Sequence, residues 1–313
     1  MDRRCSYLVV VEDEQVADPR EFASYLSDLG VAKCDVVIVD ASSEHTFARH
    51  RRVLCWVGRH VAPGPRHRDA FGRVDPVRAA LDLAGCDKVI IADPNVRYGV
   101  EALADLCALL EAHDAVGPQD YFDPLPWWTG IEAGRMLVHR GIEPLPDHGA
   151  TFGFRKTAVR ATAALDPRAL VAGDSVFVRR LPPRLYQWID ERPRQADDDF
   201  HFPMKTAFFF ALIPMALLLA ALGGVRLAGS YAGAVAFGAF ALALRGRVGA
   251  TPFFPLRACL LAPLWVLERS VSVYWALVRR LKFILRREAP EDLAPTSASG
   301  RQILSRVAAQ DKL

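Results

Sequence analysis

The chain has 313 residues, 51% of them apolar, and a formal net charge of +3. That length allows one large domain with an appendage or two small ones, and the charge is too small to suggest a nucleic-acid partner. The six cysteines are scattered with no CxxC pair and no zinc spacing, which fits buried free thiols in a reducing compartment.

Three short apolar runs each end in a carboxylate: Tyr7–Val11 at Glu12 and Asp13, Asp35–Val39 at Asp40, and Lys88–Ala92 at Asp93. Runs of this length, rich in Val and Ile, read as buried parallel strands. The first is too short, and too quickly followed by acidic residues, to be a signal peptide, so the first domain is expected to face the cytoplasm. Asp18–Leu29 carries Phe22, Tyr25, Leu26 and Leu29 at helical spacing, with Asp18 placed to cap and Pro19 suited to the first turn. Val100–Leu110 reads as a second helix. This alternation predicts a doubly wound α/β domain with a mostly parallel sheet. Ligands of such sheets sit beyond the carboxyl ends of the strands, where all three terminal carboxylates would face.

Ala115–Pro126 reads as turn and aromatic residues, Trp127–Arg140 as a helix, Gly141–His148 as a loop, Thr151–Phe154 as a strand and Lys156–Leu165 as a helix. Val176–Arg179 reads as a short strand and Leu185–Phe200 as a helix. The acidic run Asp197–Asp199 reads as a solvated junction. Thr206–Val225 then offers 20 uncharged positions and Leu227–Leu244 another 18, divided by Arg226. Each is long enough to cross about 30 Å of hydrocarbon, which predicts a tight transmembrane hairpin. Gly229, Ala232, Gly233, Ala236 and Gly238 would let its helices approach closely.

From Thr251 to Arg287, Leu264, Leu267, Val271, Tyr274, Val278, Leu281 and Leu285 form one face, with Glu268, Arg269, Arg279, Arg280, Lys282, Arg286 and Arg287 on the other. That pattern predicts a helix lying in the membrane interface; the alternative, a third span within 251–278, would bury Glu268 and Arg269 near mid-membrane. Positive charge at Arg245, Arg247 and Arg279–Arg287 puts both ends of the hairpin in the cytoplasm, hence at an inner membrane. The expected organisation is residues 1–203 as the α/β domain, 204–247 as the hairpin, 248–287 as the interface helix and 288–313 as a loose tail.

Several segments in this order resemble a bacterial, membrane-anchored subgroup of glycosyltransferase family 2, over roughly residues 7–290. The densest is Val89-Ile-Ile-Ala-Asp93-Pro-Asn-Val-Arg-Tyr98, similar to a strand followed by Asp-Asp-Asp-Val-Arg-Tyr. Gly117-Pro-Gln-Asp-Tyr-Phe-Asp-Pro-Leu-Pro-Trp127, Val178-Arg-Arg-Leu-Pro-Pro183 and Arg192-Pro-Arg-Gln-Ala-Asp-Asp-Asp-Phe200 resemble further stretches of that subgroup. The resemblance implies a GT-A fold and inverting transfer of a sugar from a nucleotide-diphosphate donor to a lipid-linked or polysaccharide acceptor of the cell envelope.

Residue by residue, the resemblance assigns Asp93 and Asn95 to a Mg²⁺ or Mn²⁺ site, with an amide replacing the second carboxylate and weakening the site. Asp40 would contact the nucleoside, either Glu12 or Asp13 the first acidic position, and Arg73 the diphosphate. Arg192 and Arg194 would form the final basic motif. The segment Lys156–Phe177 is too short for the acidic motif that normally carries the base. Asp166 and Asp174 are its only carboxylates, and Asp174 is left as a poor candidate base. The shortened region keeps open a catalytically degenerate member that binds a nucleotide sugar or serves as a membrane scaffold.

Overall fold

The computed structural model describes residues 4–13, 15–16, 18–68, 74–142, 150–162, 170–200 and 202–286. The chain forms two compact units: Met1–Tyr121 with Leu145–Leu181, and Phe122–Pro144 with Pro182–Pro295.

The first unit is an α/β layer structure around one eight-stranded sheet, in the order β3-β2-β1-β4-β7-β6-β8-β5. Its strands are β1 (Cys5–Val11), β2 (Cys34–Asp40), β3 (Arg59–Val61), β4 (Lys88–Ala92), β5 (Val96–Arg97), β6 (Ala115–Phe122), β7 (Thr151–Arg155) and β8 (Leu170–Arg180). Its helices are α1 (Pro19–Val31), α2 (Glu44–Leu54), α3 (Pro76–Leu83), α4 (Val100–Ala112) and, after α5 of the other unit, α6 (Lys156–Thr162). The sheet is mixed: β3, β2, β1 and β4 pair in parallel, whereas β4 with β7, β6 with β7, and β5 with β8 are antiparallel.

The alternating side chains of β1 divide between two cores. Tyr7, Val9 and Val11 pack with Phe22, Leu26 and Leu29 of α1 and Leu103, Leu106 and Leu110 of α4. Leu8 packs on the other face with Val37, Val39, Val77, Ala80, Phe152 and Phe154. Burial on both faces explains why these strands read as continuous apolar runs. Asp18 caps α1 by accepting from the amides of Arg20 and Glu21, and Asp75 caps α3 by accepting from the amide of Arg78.

Several elements differ from the sequence reading. Ala115–Phe122 is a buried strand, because pairing with β7 satisfies a backbone that the Gly-Pro pair made look like a turn. β8 is eleven residues long. The structure adds the short elements α2, β3 and α3 between β2 and β4.

The second unit holds α5 (Trp127–Ile142), α7 (Leu185–Asp199), α8 (Pro203–Arg247) and α9 (Leu256–Arg286). Trp127–Ile142 thus groups with the C-terminal helices and not with the α/β layer. A glycine face makes this possible: a Cβ on Gly134 would lie 2.8 Å from Ala262 Cα of α9.

Helix α8 is long and apolar enough to cross a membrane, and it breaks at Gly224, where φ is +70°. Lys205, near its start, reaches His139 of α5 at 3.2 Å. Near its end, a Cβ on Gly246 would lie 1.9 Å from the Leu137 carbonyl oxygen of the same helix. A straight helix would hold Lys205 and Gly246 roughly 60 Å apart. The chain therefore doubles back at Gly224, two residues before the expected break at Arg226, because glycine reaches positive φ without a Cβ clash. Gly229, Gly233 and Gly238, expected to bring the two arms together, have open space beside them; the glycine of the second arm that approaches a facing helix is Gly246, which meets Leu137 and Gly141 of α5.

Helix α9 turns Leu260, Leu264, Leu267, Val271, Val278 and Leu281 outward. Its opposite side carries Arg269, only 2% exposed, whose guanidinium faces Asp199 at 3.6 Å. Asp199 also pairs with Lys205 at 2.8 Å. This end of the Asp197–Asp199 run is therefore a buried ion-pair centre and not a solvated junction, because three helices converge their charges there.

Candidate functional site

The parallel register sets the site. Val11 pairs with Asp40, and Val9 with Ala92, so the residues that follow β1, β2 and β4 leave the sheet at one edge. Glu12, Asp13, Asp40 and Asp93 are thereby gathered at that edge. This is where a doubly wound sheet presents its ligand groups.

The four carboxylates are not equivalent. Asp13 is exposed and accepts from the backbone amide and hydroxyl of Ser43, each at 3.0 Å. The amide bond of Ser43 is the main reason that its carboxyl sits below the usual range. Glu12 is half-buried and bonds to Gln15.

Asp40 is 1% exposed. Its Oδ2 bonds to His50 Nδ1 at 2.9 Å and His60 Nε2 at 2.8 Å, and its Oδ1 accepts from the Ser42 amide at 3.0 Å. Burial alone would raise this carboxyl, but the bonds from His50, His60 and Ser42 outweigh it and hold the group well below the carboxylate range. The direct nucleoside contact expected of Asp40 does not fit this arrangement. The side chain is turned inward to orient two histidines, and Phe47 stacks on the His60 ring with centroids 4.6 Å apart.

Beyond β4, the Asp93-Pro94-Asn95 corner is tied down by the residues that follow it. Asp93 donates its amide to the Ala150 carbonyl at 2.7 Å. Arg97 donates to the Pro94 carbonyl at 2.7 Å, pairs with Glu21, and lies over the Tyr25 ring at 4.7 Å. Tyr98 donates its amide to the Tyr25 hydroxyl, and its own hydroxyl bonds Thr151. The Val96-Arg97-Tyr98 stretch of the resemblance thus anchors the corner onto α1 and β7.

Pairing of Val96 with Arg180 brings the end of β8 to the same corner. There Arg180 lies 3.8 Å from Asp93 and donates to Asp120 at 3.2 Å. Asp120 and Arg180 both lie inside stretches of the resemblance, 117–127 and 178–183, but the sequence assigns neither a role at the site. Asn95 presents a buried Oδ1 with no hydrogen-bond partner among the described residues, while its backbone carbonyl accepts from the Leu181 amide.

The divalent cation expected at Asp93 and Asn95 does not fit the site in this arrangement. The Asp93 carboxylate already faces a guanidinium, and a second cation beside Arg180 would be repelled. Among the described residues, no three His, Cys, Asp or Glu side chains cluster as metal ligands.

The remaining expected residues divide as follows. Arg73 lies outside the described residues, as does the side chain of Asp174, whose backbone belongs to β8. Arg192, in the second unit, is buried, bonded to Glu132 at 2.6 Å and set over the Trp188 ring at 4.5 Å. Glu132 is 3% exposed and also pairs with Arg135. Burial would raise its carboxyl, but Arg135 and Arg192 hold it well below the usual range. Burial, with Arg279 nearby, lowers the guanidinium of Arg194.

No family model and no curated protein matches the chain. Among solved structures it is similar to the mannosyltransferase PcManGT from Pyrobaculum calidifontis in complex with GDP-Man and Mn²⁺. The identity is 17%, 88% of each chain is covered, and the TM-score is 0.47. It is also similar to S. aureus TarS 1–349, with 12% identity, 88% of this chain and 91% of that chain covered, and a TM-score of 0.36. Likenesses at these scores add no weight to the site geometry.

Proposed function

We propose that the chain is a membrane-associated glycosyltransferase of the inverting GT-A type, binding a nucleotide-diphosphate sugar at the carboxyl edge of the parallel strands and serving a lipid-linked or envelope acceptor. The observation that carries this reading is the convergence of Asp13, Asp93, Asp120 and Arg180 on one edge of the sheet. Exposed Asp13 suits recognition of a nucleoside hydroxyl or base edge. Arg180 suits the diphosphate, whose charge grows as the bond to the sugar breaks. The doubled-back α8 and the outward leucines of α9 support insertion of the hairpin into a membrane with α9 along its surface. Reporter fusions near residues 150 and 295 are then expected on the same side.

A non-catalytic, donor-binding variant is the second reading. It is favoured by the inward commitment of Asp40 to His50 and His60 and by the short segment between Arg155 and β8, which leaves little room for a base. A thermal-shift screen of detergent-solubilised protein with UDP, GDP and related nucleotides tests both readings. Stabilisation together with release of free nucleoside diphosphate from a nucleotide sugar supports the enzyme. Stabilisation without release supports the binder. No stabilisation by any nucleotide at millimolar concentration leaves the scaffold.

A further inference from the structure

We infer that Arg180 is the resident cation of the donor site, standing where a divalent metal would otherwise neutralise the carboxylates, so that donor binding is metal-independent. The inference rests on the donor-binding reading above and names its charge-compensating group.

Three facts lead to it. First, Arg180 bridges two carboxylates from different parts of the chain, Asp93 after β4 at 3.8 Å and Asp120 in β6 at 3.2 Å. Asp120 is 1% exposed at its side chain, and Asp93 and Arg180 are 22% and 18% exposed. Two carboxylates on one cation at these distances would repel one another if that cation were absent. Second, backbone pairing sets where this side chain starts: Val96 is registered with Arg180 and Arg97 with Arg179, so the β5–β8 ladder holds the Arg180 backbone beside the Asp93 corner. Third, Asn95 next to this corner is neutral: its backbone carbonyl accepts from the Leu181 amide, one residue past Arg180, and its buried Oδ1 has no hydrogen-bond partner among the described residues.

An arginine in this role differs from a metal in a testable way. It is tethered, it keeps its charge at every accessible pH, and it cannot be chelated. It also presents several N–H donors in one plane, matched to phosphate oxygens. Removing it should expose a site built of oxygens. Arg180→Met leaves the Asp93 and Asp120 carboxylates, the hard ligands that Mn²⁺ and Mg²⁺ prefer.

The test is Mn²⁺ titration of the full detergent-solubilised chain, without nucleotide, by electron paramagnetic resonance of free Mn²⁺. Wild type and Arg180→Lys are expected to take up no Mn²⁺ at micromolar concentration. Arg180→Met should bind it at least about tenfold more tightly than wild type, because two anionic ligands lose their counter-cation. Size exclusion and circular dichroism establish that the variant is folded. Micromolar Mn²⁺ binding by wild type, or a folded Arg180→Met with no gain, overturns the inference. If Arg180→Met does not fold, nucleotide stabilisation of wild type with and without EDTA decides: equal shifts support the inference, and loss of the shift in EDTA overturns it. Should no nucleotide stabilise wild type, the donor-binding reading fails, while the Mn²⁺ comparison of wild type and Arg180→Lys with Arg180→Met still shows whether a cation at position 180 excludes metal.

Discussion

Gly141 of α5 and Gly246 of α8 lie against each other where their helices cross. A Cβ on Gly246 would fall 2.9 Å from the Gly141 amide nitrogen and 1.9 Å from the Leu137 carbonyl oxygen, and one on Gly141 would fall 2.2 Å from the Leu242 carbonyl oxygen. The returning arm of α8 thus touches α5 backbone to backbone. Either Gly→Ala change should force the helices apart and destabilise the second unit by roughly 1–3 kcal/mol. The double variant should cost less than the sum, since the first alanine already opens the crossing. Thermal unfolding in one detergent measures this, and additive effects would mean that the two glycines do not share a contact.

The buried Glu132–Arg192 pair makes a different prediction. Glu132→Ala should destabilise by roughly 3–5 kcal/mol, because it leaves buried Arg192 without its carboxylate; Arg192→Ala should cost less, since Arg135 still faces Glu132. Glu132→Met combined with Arg192→Leu should recover much of that loss. A recovered fold that still binds nucleotide would also show that Arg192 acts structurally and not on the donor. Denaturant titration, with nucleotide thermal shift on the double variant, reads both outcomes.

Asp40 sets an acid limit. Its folded-state value is depressed, so its contribution is complete above the unfolded carboxylate range and is lost as the pH falls through the folded value. Wild type should lose stability steadily below about pH 4. Asp40→Asn should be less stable at neutral pH and should show a shallower acid slope, since it has no proton to take up. Melting temperatures from pH 3 to pH 7 test this, and parallel curves for the two proteins would count against the His50–Asp40–His60 account.

The outward stripe of α9 predicts lipid contact. A single environment-sensitive label at Leu267→Cys or Val271→Cys, in a background with the exposed Cys55 replaced, should be quenched by brominated lipid in proteoliposomes. A label at position 105, on α4 of the α/β unit, should not. Equal quenching at both positions, or none at either, contradicts the interface assignment.

The sequence by itself determined the parts whose cause is local or periodic. Tyr7–Val11, Asp35–Val39 and Lys88–Ala92 are strands because both faces of each are buried, and that burial writes an unbroken apolar run into the chain. The carboxylates after them were legible as sharing one edge because a parallel sheet must send its strand ends to one side. The two uncharged stretches were legible as a doubled helix from length alone.

The tertiary structure decided everything that depends on which distant groups meet. Asp40 and Asp93 look alike in sequence, each an aspartate closing a strand. One is clasped by His50 and His60, contributed by α2 and β3, and the other faces Arg180, delivered by β8 through its pairing with β5. The reversal at Gly224 and the crossing at Gly141 and Gly246 follow the same logic. A glycine is common in any sequence, and only the helix packed against it determines whether its missing Cβ matters. Partner identity at a buried charge or a close crossing is a property of the folded contact, and no spacing along the chain encodes it.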